Sequence, residues 1–253
     1  MSWLETASEN FSARHASEDE RGAIDVLRLL EDTRARLQER FPRLPEHEVA
    51  VVLHETAAQL DLAQPVLPIV RRLTTPASRR YLAGWFGSDG IHVLAPETLD
   101  ERASGVSGSR EMLQLTPAAL YTRLVLAASN PALAPPWRPS RLRRELRWAW
   151  LTWGAAQYFS RQTAHSRPAI ARRLREGPPP TFPPAVRDAH LLGGTVVDLV
   201  AREEGEQAAV ELALQAAGGA SPQEALERAF HGRSVRHTEG TWRAHLSRVA
   251  GRA

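Results

Sequence analysis

The first half of the chain mixes strand-like and helix-like patterns of apolar residues. Apolar positions recur every three or four residues between Glu18 and Arg40, which predicts a helix there. Short apolar runs rich in β-branched or aromatic residues predict strands over residues 11–15, 49–53, 81–86 and 90–94. Residues 87–90, with the sequence GSDG, favour a hairpin turn between the last two strands. A short helix is predicted over residues 56–62, and residues 101–110 are predicted to form a polar loop.

Helical spacing dominates the second half of the chain. The predicted helices span residues 116–129, 140–159, 168–175, 186–203, 205–217, 221–230 and 238–250. The stretch Ser221-Pro222-Gln223-Glu224 combines an N-cap, a first-turn proline and an acidic residue, as a helix start requires. Two proline-rich connectors, residues 131–139 and 177–184, interrupt the helices. Strands and helices come first and helices alone follow, so the sequence predicts an α+β fold.

The composition excludes several kinds of chemical site and says less about the fold. The 253 residues include no cysteine, which excludes disulfides and thiolate zinc sites. All 32 basic residues are arginine, and the formal net charge is +3, so nucleic acid is not the expected partner on charge alone. No run approaches the roughly 18 apolar residues of a membrane span, and the first residues do not resemble a signal peptide. We therefore expect a soluble, cytoplasmic protein without a membrane partner.

His54 and Glu55 begin like the H-E-x-x-H signature of zinc peptidases, but Ala58 stands where the second histidine belongs. The pair follows a predicted strand, so the favoured interpretation is a polar pair facing a cleft or solvent. A zinc site assembled from separate histidines stays open; the candidates include His54, His92, His165 and His190. The stretch Gly105 to Ser109 approaches the G-x-S-x-G elbow of hydrolases, but serine replaces its second glycine.

Residues 137–148 hold five arginines and one glutamate between two tryptophans. Such a stretch can bind nucleic acid or an acidic partner through the arginine-rich helix 138–147. The favoured interpretation is a solvated helix face whose arginine stems cover apolar neighbours. Nucleic-acid binding would instead give an affinity that falls steeply with salt and on changing Arg141 and Arg144 to alanine.

Further stretches of the chain resemble one enzyme family. Trp150 to Tyr158 (WLTWGAAQY) resembles the W-L-x-E-G-x-A-x-Y helix of small gluzincin metallopeptidases, a thermolysin-like, peptidase MA-like group of zinc enzymes. Leu120 to Leu126 (LYTRLVL) fits the frame of their L-x-H-E-L-x-H helix. Similar matches follow in order at residues 189–197, 218–226 and 242–246, and the opening strands at residues 8–11 and 49–53 also fit. The resemblance therefore covers nearly the whole chain.

The resemblance implies a metal site whose ligands have been lost. Thr122 and Leu126 stand at the positions of the two zinc-binding histidines, and Trp153 at that of the glutamate ligand. Arg123 replaces the catalytic glutamate, and a guanidinium can neither bind zinc nor act as a general base. His190 matches a tyrosine that in some members would steady the oxyanion. We thus expect no catalytic residues, no metal ligands and no cofactor, although zinc is expected of the family.

The same resemblance implies a fold and a role. We expect a zincin-like lobe over residues 1–165 with a small mixed sheet, an all-helical lobe over residues 166–253, and a cleft between them. Thr122 and Leu126 would face Trp153, and Glu145 could pair with Arg123. The function implied is that of an inactive homologue that binds or scaffolds a peptide or protein partner, with an extended peptide along an edge strand near residues 90–94. A working hydrolase with an unusual site stays open as the alternative.

Overall fold

The computed structural model describes residues 3–86, 90–133, 139–215 and 221–251, with side chains from residue 143 onward in the third of these ranges. Within these ranges, five strands form one mixed sheet near the N-terminus, and helices account for most of the remaining chain. The predicted α+β fold class is therefore confirmed.

The sheet has two parallel pairings at its centre and an antiparallel pairing at each edge. Its strands are β1 (Trp3–Ala7), β2 (Phe11–Ala16), β3 (Val49–His54), β4 (Gly84–Phe86) and β5 (Ile91–Leu94). They lie in the order β1-β2-β3-β5-β4. Since β5 pairs with β3 on one side and with β4 on the other, it is an interior strand. The prediction of a peptide bound along an edge strand at residues 90–94 is therefore wrong.

Two strands differ from the prediction. The strand predicted from residue 81 begins at Gly84, where a Cβ atom would lie 2.7 Å from the carbonyl oxygen of His92. The glycine thus allows β4 to approach β5 closely. The sequence pattern does not reveal β1, because Trp3 and Leu4 are 41% and 43% exposed at the sheet edge and no alternation marks a buried face.

The described part of the first half of the chain contains six helices. They are α1 (Glu20–Gln38), α2 (Ala57–Ala63), α3 (Val66–Leu73), α4 (Pro76–Arg79), α5 (Ser109–Gln114) and α6 (Thr116–Ser129). The predictions of α1, α2 and α6 are confirmed. α3 and α4 were not predicted, and α5 begins inside the segment predicted as a loop. Short 3-10 helices occupy Ser17–Asp19, Pro96–Glu101 and Pro131–Leu133.

The second half contains the predicted helices, with ends that differ by a few residues, and a short helix at residues 162–165 that was not predicted. They are α7 (Pro139–Phe159), α8 (Gln162–His165), α9 (Arg167–Arg175), α10 (Val186–Glu204), α11 (Glu206–Gln215), α12 (Pro222–Ala229) and α13 (Val235–Val249). The predicted start of α12 is confirmed: the Ser221 hydroxyl accepts a hydrogen bond from the Glu224 amide, and the Glu224 carboxylate accepts one from the Ser221 amide. The predicted turn at 87–89 and the predicted helix end at 216–217 lie outside the described residues.

Two glycines bring α7 and α10 into close contact. A Cβ atom on Gly154 of α7 would lie 2.4 Å from the carbonyl carbon of Gly193 on α10. A Cβ atom on Gly193 would lie 2.2 Å from the carbonyl oxygen of Trp150. Any larger side chain would push the helices apart, so glycine at both positions sets their separation. The crossing brings Trp153 of α7 next to His190 of α10.

The buried apolar side chains form one continuous cluster that extends from the sheet to the last helices. Trp242 of α13 is fully buried, and its indole N–H donates a 2.9 Å hydrogen bond to the Thr195 hydroxyl of α10. The predicted lobe boundary after residue 165 stays a prediction. α7, which precedes this boundary, packs against α10, which follows it. Among the described residues, no helix combines the length and the apolar character that crossing a bilayer requires.

Candidate functional site

Thr122 and Leu126 lie one turn apart on α6, inside the protein. Thr122 has no exposed surface, and its hydroxyl donates a 2.8 Å hydrogen bond to the Ala118 carbonyl of the same helix. Leu126 is 1% exposed and belongs to the apolar cluster. Both side chains are thus engaged in ordinary helix packing, and neither offers a charged or imidazole donor to a metal.

Arg123 is a buried cation held by one carboxylate and two aromatic faces. It is 1% exposed, and its Nη2 atom donates a 2.9 Å hydrogen bond to Glu145 Oε1 on α7. The predicted pairing with Glu145 is therefore confirmed. The guanidinium carbon also lies 5.0 Å from the ring centroid of Trp153 and 5.4 Å from that of Phe86. The carboxylate and the two rings together offset the free energy that the guanidinium loses when it leaves water.

Trp153 stands at the centre of an aromatic cluster. Its ring centroid lies 5.5 Å from that of Trp85, 6.1 Å from that of Phe86 and 5.2 Å from that of His190. The first two residues belong to the edge strand β4, and His190 belongs to α10. Such distances are typical of favourable ring pairs. The indole therefore connects the sheet edge, α7 and α10 through apolar contact.

His190 is a neutral imidazole buried against this cluster. Burial lowers its pKa to about 4, because the charged form would lose its hydration without gaining a carboxylate partner. Its Nδ1 atom lies 3.4 Å from the Ser78 hydroxyl, and its carbonyl oxygen accepts a hydrogen bond from the Gln157 amide. A neutral imidazole can accept or donate a hydrogen bond at the floor of a cleft, but it adds no charge there.

Trp153 and His190 line an open apolar cleft of about 310 Å³. α3 forms the opposite wall, with Val66, Ile69 and Leu73 exposed by 50%, 60% and 55%. The remaining lining residues from the sheet edge and from α7 and α10 include Trp85, Leu146 and Val186. The helix that forms this wall was not predicted from the sequence, although apolar residues at positions 66, 69, 70 and 73 have the spacing of one helix face.

The histidines proposed as an alternative metal site do not assemble into one. His54 and His92 do meet: they lie on the neighbouring strands β3 and β5, with His54 Nε2 3.0 Å from His92 Nδ1. Both are 5% exposed, so the interpretation of His54 as a cleft-rim or solvent-facing residue is wrong. His165 lies at the end of α8, and His190 lines the apolar cleft. Among the described residues, no three histidine, aspartate or glutamate side chains are placed to hold a metal ion.

The arginine-rich helix corresponds to the first part of α7. Arg143 and Arg147 are exposed, whereas Trp148 is 3% exposed and belongs to the core. Glu145 on the same helix is engaged with Arg123. Trp148 therefore cannot stack on a base at the surface, which removes one of the two aromatic residues on which that interpretation rested. Trp137 lies outside the described residues.

Against models of protein families, curated protein sequences and solved structures, the chain has no significant match. Its function has to be inferred from the cleft and from the residues that line it.

Proposed function

We propose that this chain is a non-catalytic binding protein, a degenerate relative of the gluzincin metallopeptidases, whose cleft takes an apolar helical segment of a partner protein. One observation carries the proposal: the cleft beside Trp153 and His190 is walled by large aliphatic side chains that remain exposed on α3, α7 and α10. Because β5 is an interior strand, the proposed partner lies as a helix in this groove and not as an extended peptide along residues 90–94.

The contacts of Arg123 and Trp153 support the degenerate-site part of the proposal. The family resemblance assigns these two positions, on α6 and α7, to a catalytic glutamate and a zinc-binding glutamate. In this chain the two side chains touch, with the cation 5.0 Å from the ring. His190, matched to a third site position, contacts the same ring. The ring of Trp153 thus contacts two other residues that the resemblance matches to site positions, which supports this part of the proposal.

The chemistry of these residues does not fit zinc. A catalytic zinc ion needs three nitrogen or oxygen ligands of the protein and an open position for water. Thr122, Leu126 and Trp153 supply one hydroxyl, already hydrogen-bonded to its own helix, and two groups without a donor. Arg123 adds a positive charge. No hydrolytic step is therefore derived for this site.

The exposed aliphatic residues of the cleft support an apolar partner. Burying them would be favourable by about 25 cal/mol per Å² of apolar area. The volume of about 310 Å³ lies at the small end of ligand pockets, which suits a few anchoring side chains rather than a large cofactor. Two of the walls are helices, and grooves of this kind accept an amphipathic helix through residues at i, i+3 or i+4, and i+7.

A displayed library of helical peptides tests the binding proposal. Wild-type protein should select peptides with apolar residues at i, i+3 or i+4, and i+7. The selected peptides should bind the Ile69→Glu/Leu73→Glu variant at least about tenfold more weakly, because two charges would then have to be desolvated in the groove. The matched control is Leu62→Glu, since Leu62 is 85% exposed on α2 and does not line the cleft. Equal binding to wild type and to the cleft variant would overturn the proposal.

Metal analysis tests the loss of catalysis. Purified protein should contain no stoichiometric zinc and should cleave no fluorogenic peptide in a chelator-sensitive way. One tightly bound zinc ion together with chelator-sensitive cleavage would establish the alternative of a working hydrolase.

Restoring the ligands tests the family relationship. The changes Thr122→His, Arg123→Gln, Leu126→His and Trp153→Glu together should create a site that binds one equivalent of Co²⁺, read from its visible absorption. The control keeps Leu126 and carries the other three changes, so it lacks one ligand. If the four-residue variant folds and binds Co²⁺ no better than the control, these positions do not converge as a zinc site and the relationship fails.

A further inference from the structure

We propose that a second cavity, lined by arginine side chains of α1, α9, α10 and the segments that follow α1 and α7, binds a small phosphate-bearing ligand. The cavity has a volume of about 500 Å³ and shares no lining residue with the apolar cleft. Its arginines are Arg36, Arg40, Arg161, Arg167 and Arg202. Two carboxylates, Asp198 and Glu206, also line it. Five cations against two anions leave a surplus of three positive charges.

Both carboxylates already have arginine partners. Arg40 Nε lies 2.8 Å from Glu206 Oε1, and Arg202 Nε lies 2.9 Å from Asp198 Oδ2. Burial alone would raise the pKa of the Asp198 carboxyl, but hydrogen bonds from His245 and Arg202 outweigh it and lower that pKa. Asp198 therefore stays ionised and committed to these two partners. The two carboxylates of the wall are thus paired with Arg40 and Arg202 and do not pair with the other three arginines.

The other three arginines have no carboxylate partner among the described residues. Arg36, Arg161 and Arg167 form no ion pair there, and the Arg36 side chain donates a 3.1 Å hydrogen bond to the Thr33 hydroxyl. Burial, together with the positive charges of Arg161 and Arg40, lowers the pKa of the Arg36 guanidinium, although Asp32 on the same helix acts in the opposite direction. Arg36 is half-buried, whereas Arg161 and Arg167 are exposed. Like charges gathered in a concave space attract an anion.

The backbone at Arg161 gives independent support. Arg161 follows α7 with a φ of 70°, a left-handed conformation in which glycine or asparagine is the usual residue. In this conformation the Cβ atom of any residue other than glycine crowds the following carbonyl oxygen, which is energetically unfavourable. Such strained positions concentrate at functional sites. The strain is understandable if the guanidinium at this point of the cavity is needed for a ligand.

The cavity fits a phosphate better than a carboxylate. A phosphate monoester carries about −1.5 to −2 charges and three acceptor oxygens, so one group can satisfy several guanidinium groups. The space of about 500 Å³ exceeds what one inorganic phosphate fills and lies within the range of pockets for small organic ligands. The Tyr158 and Phe159 rings in the wall provide flat apolar surface for the rest of such a molecule. The ligand class is therefore a small organic phosphate or a pyrophosphate.

Calorimetric titration of the full chain tests the proposal with three probes at constant ionic strength: inorganic phosphate, pyrophosphate and adenosine triphosphate. Pyrophosphate should bind more tightly than phosphate, and tighter binding of the nucleotide would assign the ligand to the organic class. The Arg36→Gln/Arg161→Asn variant should weaken binding of pyrophosphate by about tenfold or more, as expected for lost charge-assisted contacts.

The control variant is Arg28→Gln/Arg72→Gln, which removes the same charge from exposed positions outside the cavity. It should leave the affinity within about twofold, because exposed, distant charges are screened. Arg161→Asn alone repeats the test without touching half-buried Arg36, and asparagine suits the left-handed backbone. Wild-type protein that binds none of the three probes would overturn the proposal, as would cavity variants that bind pyrophosphate as tightly as wild type.

Discussion

The guanidinium carbon of Arg123 lies 5.0 Å from the ring centroid of Trp153, and the same side chain is hydrogen-bonded to Glu145. A permanent cation is thus built into the core between α6, α7 and the sheet edge. Its second terminal nitrogen, Nη1, is buried and has no hydrogen-bond partner among the described residues. The stability of this region therefore depends on Glu145, the carboxylate that balances the charge.

Glu145→Leu should lower the free energy of unfolding by about 3–5 kcal/mol, because it leaves Arg123 buried and unpaired. The double variant Arg123→Met/Glu145→Leu should recover much of this loss, since apolar side chains can replace both partners. Urea denaturation gives both values. Asp25→Leu is the control, because its exposed pair with Arg28 contributes no more than about 1 kcal/mol. A loss at Glu145 as small as that control would contradict the buried-cation description.

Gly154→Ala should reduce stability by about 1–3 kcal/mol, because the added methyl group would meet the Gly193 backbone and separate α7 from α10. Gly240→Ala is the control: it lies in an exposed part of α13 with no atom near the added Cβ. That change should stabilise the fold by about 0.5–1 kcal/mol. Thermal unfolding distinguishes the two, and a neutral Gly154→Ala would mean that the helices separate without loss.

His190 should make stability fall in mild acid. Its folded pKa is about 4, compared with 6.5 when unfolded, so above pH 6.5 it is neutral in both states. As pH falls from 6.5 toward 4, the unfolded chain binds a proton that the folded chain excludes, and the loss levels off below that range at about 3 kcal/mol. The difference between wild type and His190→Gln should shrink with acid by this amount. The exposed His237→Gln change should leave the profile unaltered; equal profiles for all three proteins would refute the assignment.

Asp188→Ala should lower the free energy of unfolding by about 3–5 kcal/mol, because Arg173 would lose its partner inside the protein. Both side chains are 3% exposed, and Arg173 Nη2 lies 2.8 Å from Asp188 Oδ2. The neighbouring exposed pair of Arg172 and Glu176 is the control, and Glu176→Ala should change stability by less than about 1 kcal/mol. Denaturant titration of the two variants gives the comparison; similar small losses would contradict this prediction.

Local sequence patterns predicted the helices and strands themselves better than they predicted which of these elements lie next to one another. The capping box of Ser221 and Glu224 and the long helices are readable because their signals lie within a few residues. β1 was not predicted because an exposed edge strand has no buried face, and therefore no alternation of apolar and polar residues. The assignment of residues 90–94 to an edge failed because β3 pairs with β5, so strand order differs from chain order.

One contact at the candidate site was predicted from the sequence. The pairing of Arg123 with Glu145 could be predicted because a buried charge needs a partner of opposite charge. The meeting of His54 with His92 depends on the register of two strands, which no local pattern fixes. The apolar face of α3 could have been read from its spacing. Its position opposite Trp153 follows only from the tertiary fold.

The glycine contact between α7 and α10 has a consequence for how the apolar cleft can adapt. Gly154 and Gly193 leave no space between these helices, so the wall that carries Trp153 and His190 is rigid. α3 forms the other wall and is joined to the strand region by Arg71, whose Nε donates a 3.0 Å hydrogen bond to the Leu82 carbonyl. Its outer residues project into solvent. Under the proposed function, helices of different width would therefore be accommodated by displacement of α3 about this anchor, while Trp153 and His190 keep their positions.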